Sequence, residues 1–257
     1  MTKTIGVIGV GHLMEHVVPG LMRADAPPPI LLSARNADRA ARLAGKFGLE
    51  IVRENAEIVS RSDIVIMAVR PFDIEATIQG LPWEARHIVL SFAGTISRSN
   101  YEPHVNGAEI VQAMPVIAAE FGQSPTSIFP ANPDVRELLS PCGPVIPFET
   151  EAAFKAASGA GAYFVWVQAL VQEAIQWMTV KGVPPDTARN LIAEMTAAGA
   201  LSVSQRADKP IDELIQEFCL PGSLSGQGLE ILHKGNAFVP WHEALESIHK
   251  RRTSGSN

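Results

Sequence analysis

The chain is predicted to be α/β: a doubly wound parallel sheet over residues 1–149, followed by an all-helical domain over residues 150–257. Three observations carry this. A short apolar run, Ile5-Gly6-Val7-Ile8, ends in the glycine turn Gly9-Val10-Gly11, and a helical pattern begins within three residues. Apolar runs separated by helix-sized segments then recur as far as residue 148, the rhythm of a parallel sheet. From Glu149 onward the strand pattern stops.

In order, residues 4–9 form the first strand and a helix follows the turn. Pro29-Ile30-Leu31-Leu32-Ser33-Ala34 reads as the second strand, behind a proline-rich turn. Residues 36–47 carry Ala40, Leu43, Ala44 and Phe47 at helical spacing, with Asn36 placed to cap them. A short helix is expected at 56–60. Residues 63–69 are apolar after Asp63, as in strands buried on both faces of a parallel sheet. Pro71 stops that strand, and a helix begins near Phe72. Residues 87–92 and 109–114 repeat the pattern, and 126–129 and 144–148 are the last strand-like runs. Residues 151–179 read as a long helix interrupted near Ser158-Gly159-Ala160-Gly161. Gly182-Val183-Pro184-Pro185 ends it and starts the helix of residues 184–204. A shorter helix at 210–218, the loop Leu220-Pro221-Gly222-Ser223-Leu224-Ser225-Gly226 and two final helices complete the chain, with residues 253–257 expected to be flexible.

Composition narrows the partners. At 257 residues and 46% hydrophobic content, the chain suits one large domain or two modest ones. A net charge of -6 without a basic stripe argues against nucleic acid. Cys142 and Cys219 have neither metal-ligand spacing nor a reason to pair, which fits a reducing cytoplasm. No charged leader with an apolar h-region opens the chain, so no signal peptide is expected. Residues 156–171, the most apolar stretch, contain glycines and Gln168 and read as a buried helix, not a membrane span. His12 and His16 lie one helical turn apart but lack a third ligand, so no metal is expected.

The opening turn carries the chemistry. Gly9 permits the tight turn, and Gly11 removes the Cβ that would keep a pyrophosphate from the backbone. The amides of His12, Leu13 and Met14 then face the anion with the helix dipole behind them. Met14 stands where the third fingerprint glycine falls. Such a turn predicts a Rossmann-type dinucleotide site beyond the carboxyl ends of the strands. The second strand ends Ser33-Ala34-Arg35-Asn36, without the carboxylate that accepts from a ribose 2′-hydroxyl in NAD sites. Arg35 can pair with a 2′-phosphate, and Ser33 and Asn36 can donate to it, so NADP is expected over NAD.

Six segments extend this reading. Residues 5–13 follow I-G-x-I-G-x-G-N-M, with His12 at the Asn. Ala68-Val69-Arg70-Pro71 follows A-V-K-P, and residues 91–97 follow S-x-A-A-G-I-S. Met114-Pro115 matches the start of M-P-N-T-P, Ser158-Gly159-Ala160-Gly161 part of S-G-S-G-P-A-Y, and residues 219–225 the outline of T-S-P-G-G-x-T. In this order, over about residues 4–250, they resemble the pyrroline-5-carboxylate reductases, NAD(P)H-dependent enzymes that reduce a cyclic imino acid to proline. The resemblance implies that Ala68, Val69, Arg70 and Pro71 pack against the ribose and pyrophosphate. It also implies that Ala93, Gly94, Met114 and Pro115 lie by the nicotinamide, and that the C-terminal helices interleave in a homodimer or larger oligomer. Gly222, Ser223, Leu224 and Ser225 would hold the substrate carboxylate on helix-start amides, with Ser225 able to relay a proton as the catalytic hydroxyl.

The departures concern specificity. Leu220 stands at the loop's first hydroxyl position, Val116 and Ile117 replace Asn and Thr, and Ala162 replaces a proline. The leading substrate is pyrroline-5-carboxylate, with another small cyclic imine or a non-catalytic NADP-binding dimer as alternatives. The β-hydroxyacid dehydrogenases share this two-domain plan but carry a lysine one turn before an asparagine on the interdomain helix. Residues 158–180 contain neither. Trp166 and Trp177, with Phe164 and Leu170, form a helical stripe suited to a core or a subunit interface.

Overall fold

The computed structural model describes residues 3–94 and 96–253, with Thr253 described in its backbone only. Thr95, within the segment expected beside a nicotinamide, lies outside the described residues. So does the tail beyond Thr253.

The first compact unit, Met1–Gly161, is built on one eight-stranded sheet. Its strands are β1 (Ile5–Ile8), β2 (Ile30–Ser33), β3 (Glu50–Val52), β4 (Ile64–Met67), β5 (Ile88–Ser91), β6 (Glu109–Met114), β7 (Thr126–Phe129) and β8 (Val145–Pro147), in the order β3-β2-β1-β4-β5-β6-β7-β8. The helices are α1 (Met14–Leu21), α2 (Ala37–Phe47), α3 (Asn55–Arg61), α4 (Ile74–Ile78), α5 (Pro133–Leu139) and α6 (Glu151–Ala157). In β4, Ile64 and Ile66 join a core with α1 and α2, while Val65 and Met67 join a second core with α3 and α4. That is why its sequence is apolar at every position: both faces are covered.

Three expectations are corrected. The sheet is not wholly parallel, because β7 pairs antiparallel with β6, and β8 follows β7. Residues 115–125 leave too little chain for a right-handed crossover of a dozen or more residues. β3, absent from the sequence reading, forms an outer strand with Glu50 and Ile51 exposed. Asn36 occupies the N-cap position of α2, but its side chain makes no cap hydrogen bond.

The second unit, Ala162–Asn257, holds most of α7 (Gly159–Val180), then α8 (Pro185–Gln205), α9 (Ile211–Gln216), α10 (Leu224–Lys234) and α11 (Val239–Thr253). The expected interruption falls at Ser158, whose Oγ donates to the Lys155 carbonyl at 2.6 Å. The Trp241 ring meets those of Tyr163 and Trp166 at centroid distances of 5.6 and 6.0 Å. Little else is covered: among the described residues of α10 none is buried, and in α8 only Ala188. Among the described residues, no helix is long and apolar enough to cross a membrane.

Candidate functional site

The strand order reverses between β1 and β4, where Ile8 pairs with Met67, so a crevice opens beyond their carboxyl ends. Gly9 turns the chain there at φ 99°, and a Cβ on it would lie 2.7 Å from the Ala68 carbonyl carbon and oxygen. The Gly9 amide donates to Ser33 Oγ at 3.0 Å. Ser33 is buried, and its hydroxyl supports the turn from behind.

Around Gly11, a Cβ would meet nothing within 4 Å. The start of α1 has no side-chain cap at Leu13. Met14, one of three amides expected to face an anion, donates instead to the Gly11 carbonyl at 3.1 Å, leaving His12 and Leu13 as the amides at the helix start. The His12 and His16 rings meet edge to face at 4.9 Å, with His16 Nδ1 2.8 Å from Glu120 Oε1.

A cavity of about 450 Å³ gathers Gly9, Gly11, Arg35, Asn36, Ala68, Val69 and Arg70 on one wall system. His12, Leu13, Ser33, Pro71, Ala93, Gly94, Met114 and Pro115 do not line it. Arg39, Asp38 and Asp73 do, and the sequence reading missed all three. Arg39 stands in the first turn of α2, where a charged side chain reads as a solvated helix face. Arg35 Nη1 is 3.6 Å from Asp73 Oδ2, and the Arg70 guanidinium lies 5.8 Å from the Phe72 ring centre.

Ala93 and Gly94 follow β5 and Met114 ends β6, on the same carboxyl edge of the sheet. Beneath them Ser91 Oγ and Tyr101 Oη are 2.6 Å apart, both fully buried, and the Ala93 amide donates to Ser91 Oγ at 3.2 Å. Burial pushes the Tyr101 phenol up to about 12, so it stays protonated. Gln112 Nε2 donates to the Ile96 carbonyl at 2.6 Å and the Val116 amide to Ser124 Oγ at 2.9 Å, fixing both loops. Tyr101 was invisible as a site residue because it contacts the strand end from another loop.

In the second unit, Gly222 turns at φ 79° and Ser223 caps α10. Ser223 Oγ accepts the Gly226 amide at 3.0 Å and donates to the Phe218 carbonyl at 3.2 Å. Its hydroxyl is thus used within the loop, and the Gly226 amide is the one it accepts. Leu224 and Ser225 are exposed on the first turn, and Leu220 is exposed in the loop.

Comparison with known proteins adds to this geometry. Residues 4–94 match the family described as NADP oxidoreductase coenzyme F420-dependent, and residues 150–254 match pyrroline-5-carboxylate reductase dimerisation. The chain is 28% identical to pyrroline-5-carboxylate reductase 3 of Danio rerio, over 96% of this chain and 89% of that protein. It is 26% identical to the pyrroline-5-carboxylate reductase of Pseudomonas aeruginosa, over 97% and 96%. The fold is similar to that of the 1-pyrroline-5-carboxylate reductase of Streptococcus pyogenes, with a TM-score of 0.85 at 20% identity over 98% of this chain and 99% of that one. It is equally similar to the Plasmodium falciparum pyrroline carboxylate reductase with NADP bound, at 0.85 and 17% identity over 99% and 98%.

Proposed function

We propose that the chain is a member of the pyrroline-5-carboxylate reductase family and that it reduces pyrroline-5-carboxylate to proline with NAD(P)H, preferring NADPH. The observation that carries the reading is the end-to-end likeness to reductases of that name, with a cavity of about 450 Å³ at the sheet's switch point.

The residues fit the cofactor. Gly11 is open where a Cβ would intrude, the start of α1 is uncapped, and Arg35, Arg39 and Arg70 line the cavity. The amides of His12 and Leu13 would hold the pyrophosphate, and Ala68 and Val69 the adjoining ribose. Arg35 and Asn36 would take the 2′-phosphate, which favours NADPH over NADH. When bound, the cofactor supplies a hydride to the imine carbon. The loops after β5 and β6 hold Ala93, Gly94, Met114 and Pro115 at that reacting end. The proline nitrogen needs only the proton that an iminium already carries, so the protein's task is orientation and water exclusion. Gly222, Leu224 and Ser225 would hold the substrate carboxylate, with Ser225 as proton relay.

Oligomerisation runs through the C-terminal domain, which we delimit at residue 150, and a homodimer is the assembly we propose. In α7, Tyr163, Val165, Leu170 and Trp177 are exposed, and an apolar groove between α7 and α8 is lined by Val167, Val171 and Ile175. A second copy would cover these side chains. Free Cys142 and Cys219 favour a reducing compartment, the cytoplasm.

A family-related reductase acting on a less polar imine is the second reading, favoured by the exposed Leu220 and Leu224. The test follows loss of nicotinamide absorbance with pyrroline-5-carboxylate and NADPH, then NADH. Rapid oxidation, faster with NADPH, supports the proposal. Tight NADPH binding without turnover sinks the proline assignment and turns the search to apolar cyclic imines.

A further inference from the structure

Arg39 lines the dinucleotide cavity beside Arg35 and Asn36, in the first turn of α2. Its Nε lies 2.8 Å from Glu15 Oε2, and Arg42 Nη2 donates to Glu15 Oε1 at 2.6 Å. Glu15 stands in the first turn of α1, just past the glycine turn, with His12 Nδ1 a further 3.7 Å from Oε2. The Arg42 hydrogen bond holds its carboxyl below the usual carboxylate range, so it remains a fixed negative charge.

The charges around the cavity are unevenly matched. Arg35 faces Asp73 at 3.6 Å, and that pair is neutral. Arg70 and Asp38, which also line the cavity, cancel in sum, while Arg39 and Arg42 share the single charge of Glu15, so one positive charge is left over. Of Arg39, Arg42 and Glu15, Arg39 is the member that lines the cavity. A guanidinium carries five N–H donors in a planar fork, and the closest approach of Glu15 is to Nε, at 2.8 Å. One carboxylate oxygen does not use up five donors, so Arg39 keeps N–H groups for an anion's oxygens, while the carboxylate removes rotamer freedom that binding would otherwise have to restrict.

We propose that Arg39 is a second recognition residue for a ribose 2′-phosphate, acting beside Arg35, and that Glu15 is its positioning residue. The proposal rests on the NADPH reading above. The test titrates 2′,5′-ADP and 5′-ADP into the wild type and into the Arg39→Gln and Glu15→Gln variants by calorimetry at fixed salt. Loss of one charge-assisted contact predicts about tenfold weaker 2′,5′-ADP binding in Arg39→Gln. Binding of 5′-ADP stays at the wild-type value, which also reports an intact fold. Glu15→Gln shifts 2′,5′-ADP in the same direction by less, and in turnover raises KM for NADPH more than KM for NADH, a split that a general packing defect does not produce.

Arg39→Gln binding both nucleotides as the wild type does would overturn the proposal while leaving the NADPH reading intact. Equal weakening of both nucleotides overturns it too, since Arg39 would then serve the shared phosphate or the fold. A wild type that binds the two nucleotides equally removes the NADPH preference itself, and the proposal with it.

Discussion

Ser33 Oγ accepts the amide of Gly9 at 3.0 Å, so the last residue of β2 holds the turn that follows β1. Two neighbouring strands thereby fix a backbone that must stay open to a ligand. Ser33→Ala leaves the Gly9 amide without its partner and should cost about 1–3 kcal/mol of stability. The KM for the dinucleotide should rise with it. Chemical denaturation beside cofactor titration checks both, and an unchanged KM would show that the turn holds its shape without Ser33.

The two turn glycines should fail differently. Gly9→Ala combines φ 99° with a Cβ 2.7 Å from the Ala68 carbonyl, so it should destabilise the domain and abolish cofactor binding together. At Gly11 the added methyl meets no protein atom within 4 Å. Gly11→Ala should therefore melt within a degree or two of wild type, yet bind cofactor about tenfold or more weakly. Melting curves with and without cofactor separate the cases.

Tyr101→Phe removes the buried hydroxyl 2.6 Å from Ser91 Oγ. Its loss should cost about 1 kcal/mol. Because the same Ser91 Oγ accepts the Ala93 amide, kcat should fall more than KM for the adenosine half of the cofactor. Steady-state kinetics against binding of 5′-ADP measures that split.

His87 is fully buried on the first unit's core, and its Nδ1 accepts the Glu84 amide at 2.9 Å. Burial, aided by the Arg86 charge, holds its pKa below the usual 6.5. The folded state thus binds fewer protons than the unfolded chain. The stabilisation is present above about pH 6.5 and is lost as pH falls through the depressed folded value. Urea midpoints measured from pH 7 to pH 5 should decline in the wild type and decline less in His87→Gln.

Leu170 and Trp177 are 59% and 64% exposed on α7, too much apolar surface for a helix of this length to leave in water. Leu170→Glu should shift the protein toward monomer in sedimentation velocity, with the first unit's cofactor binding retained. A variant that keeps the wild-type mass would place the contact on another face.

Local pattern determined much of this protein from the sequence alone. The strands β1, β2, β4, β5 and β6 are apolar runs long enough to be covered on both faces, and the glycine turn is a backbone requirement written into residues 9–11. Helical periodicity and the proline and glycine stops likewise mark α7 and α8, because each depends on neighbours within a few residues. What tertiary structure decided is what depends on partners far along the chain. β3 is three residues with two exposed, and only its pairing with β2 makes it a strand. The direction of β7 follows from how little chain separates it from β6. Ser33 turned inward to Gly9, Ser223 became a cap, and Arg39 reached the cavity through Glu15, a residue on another helix. A side chain's type is in the sequence, but whether it faces the ligand or supports the backbone is set by which distant donor or acceptor folding brings within 3 Å.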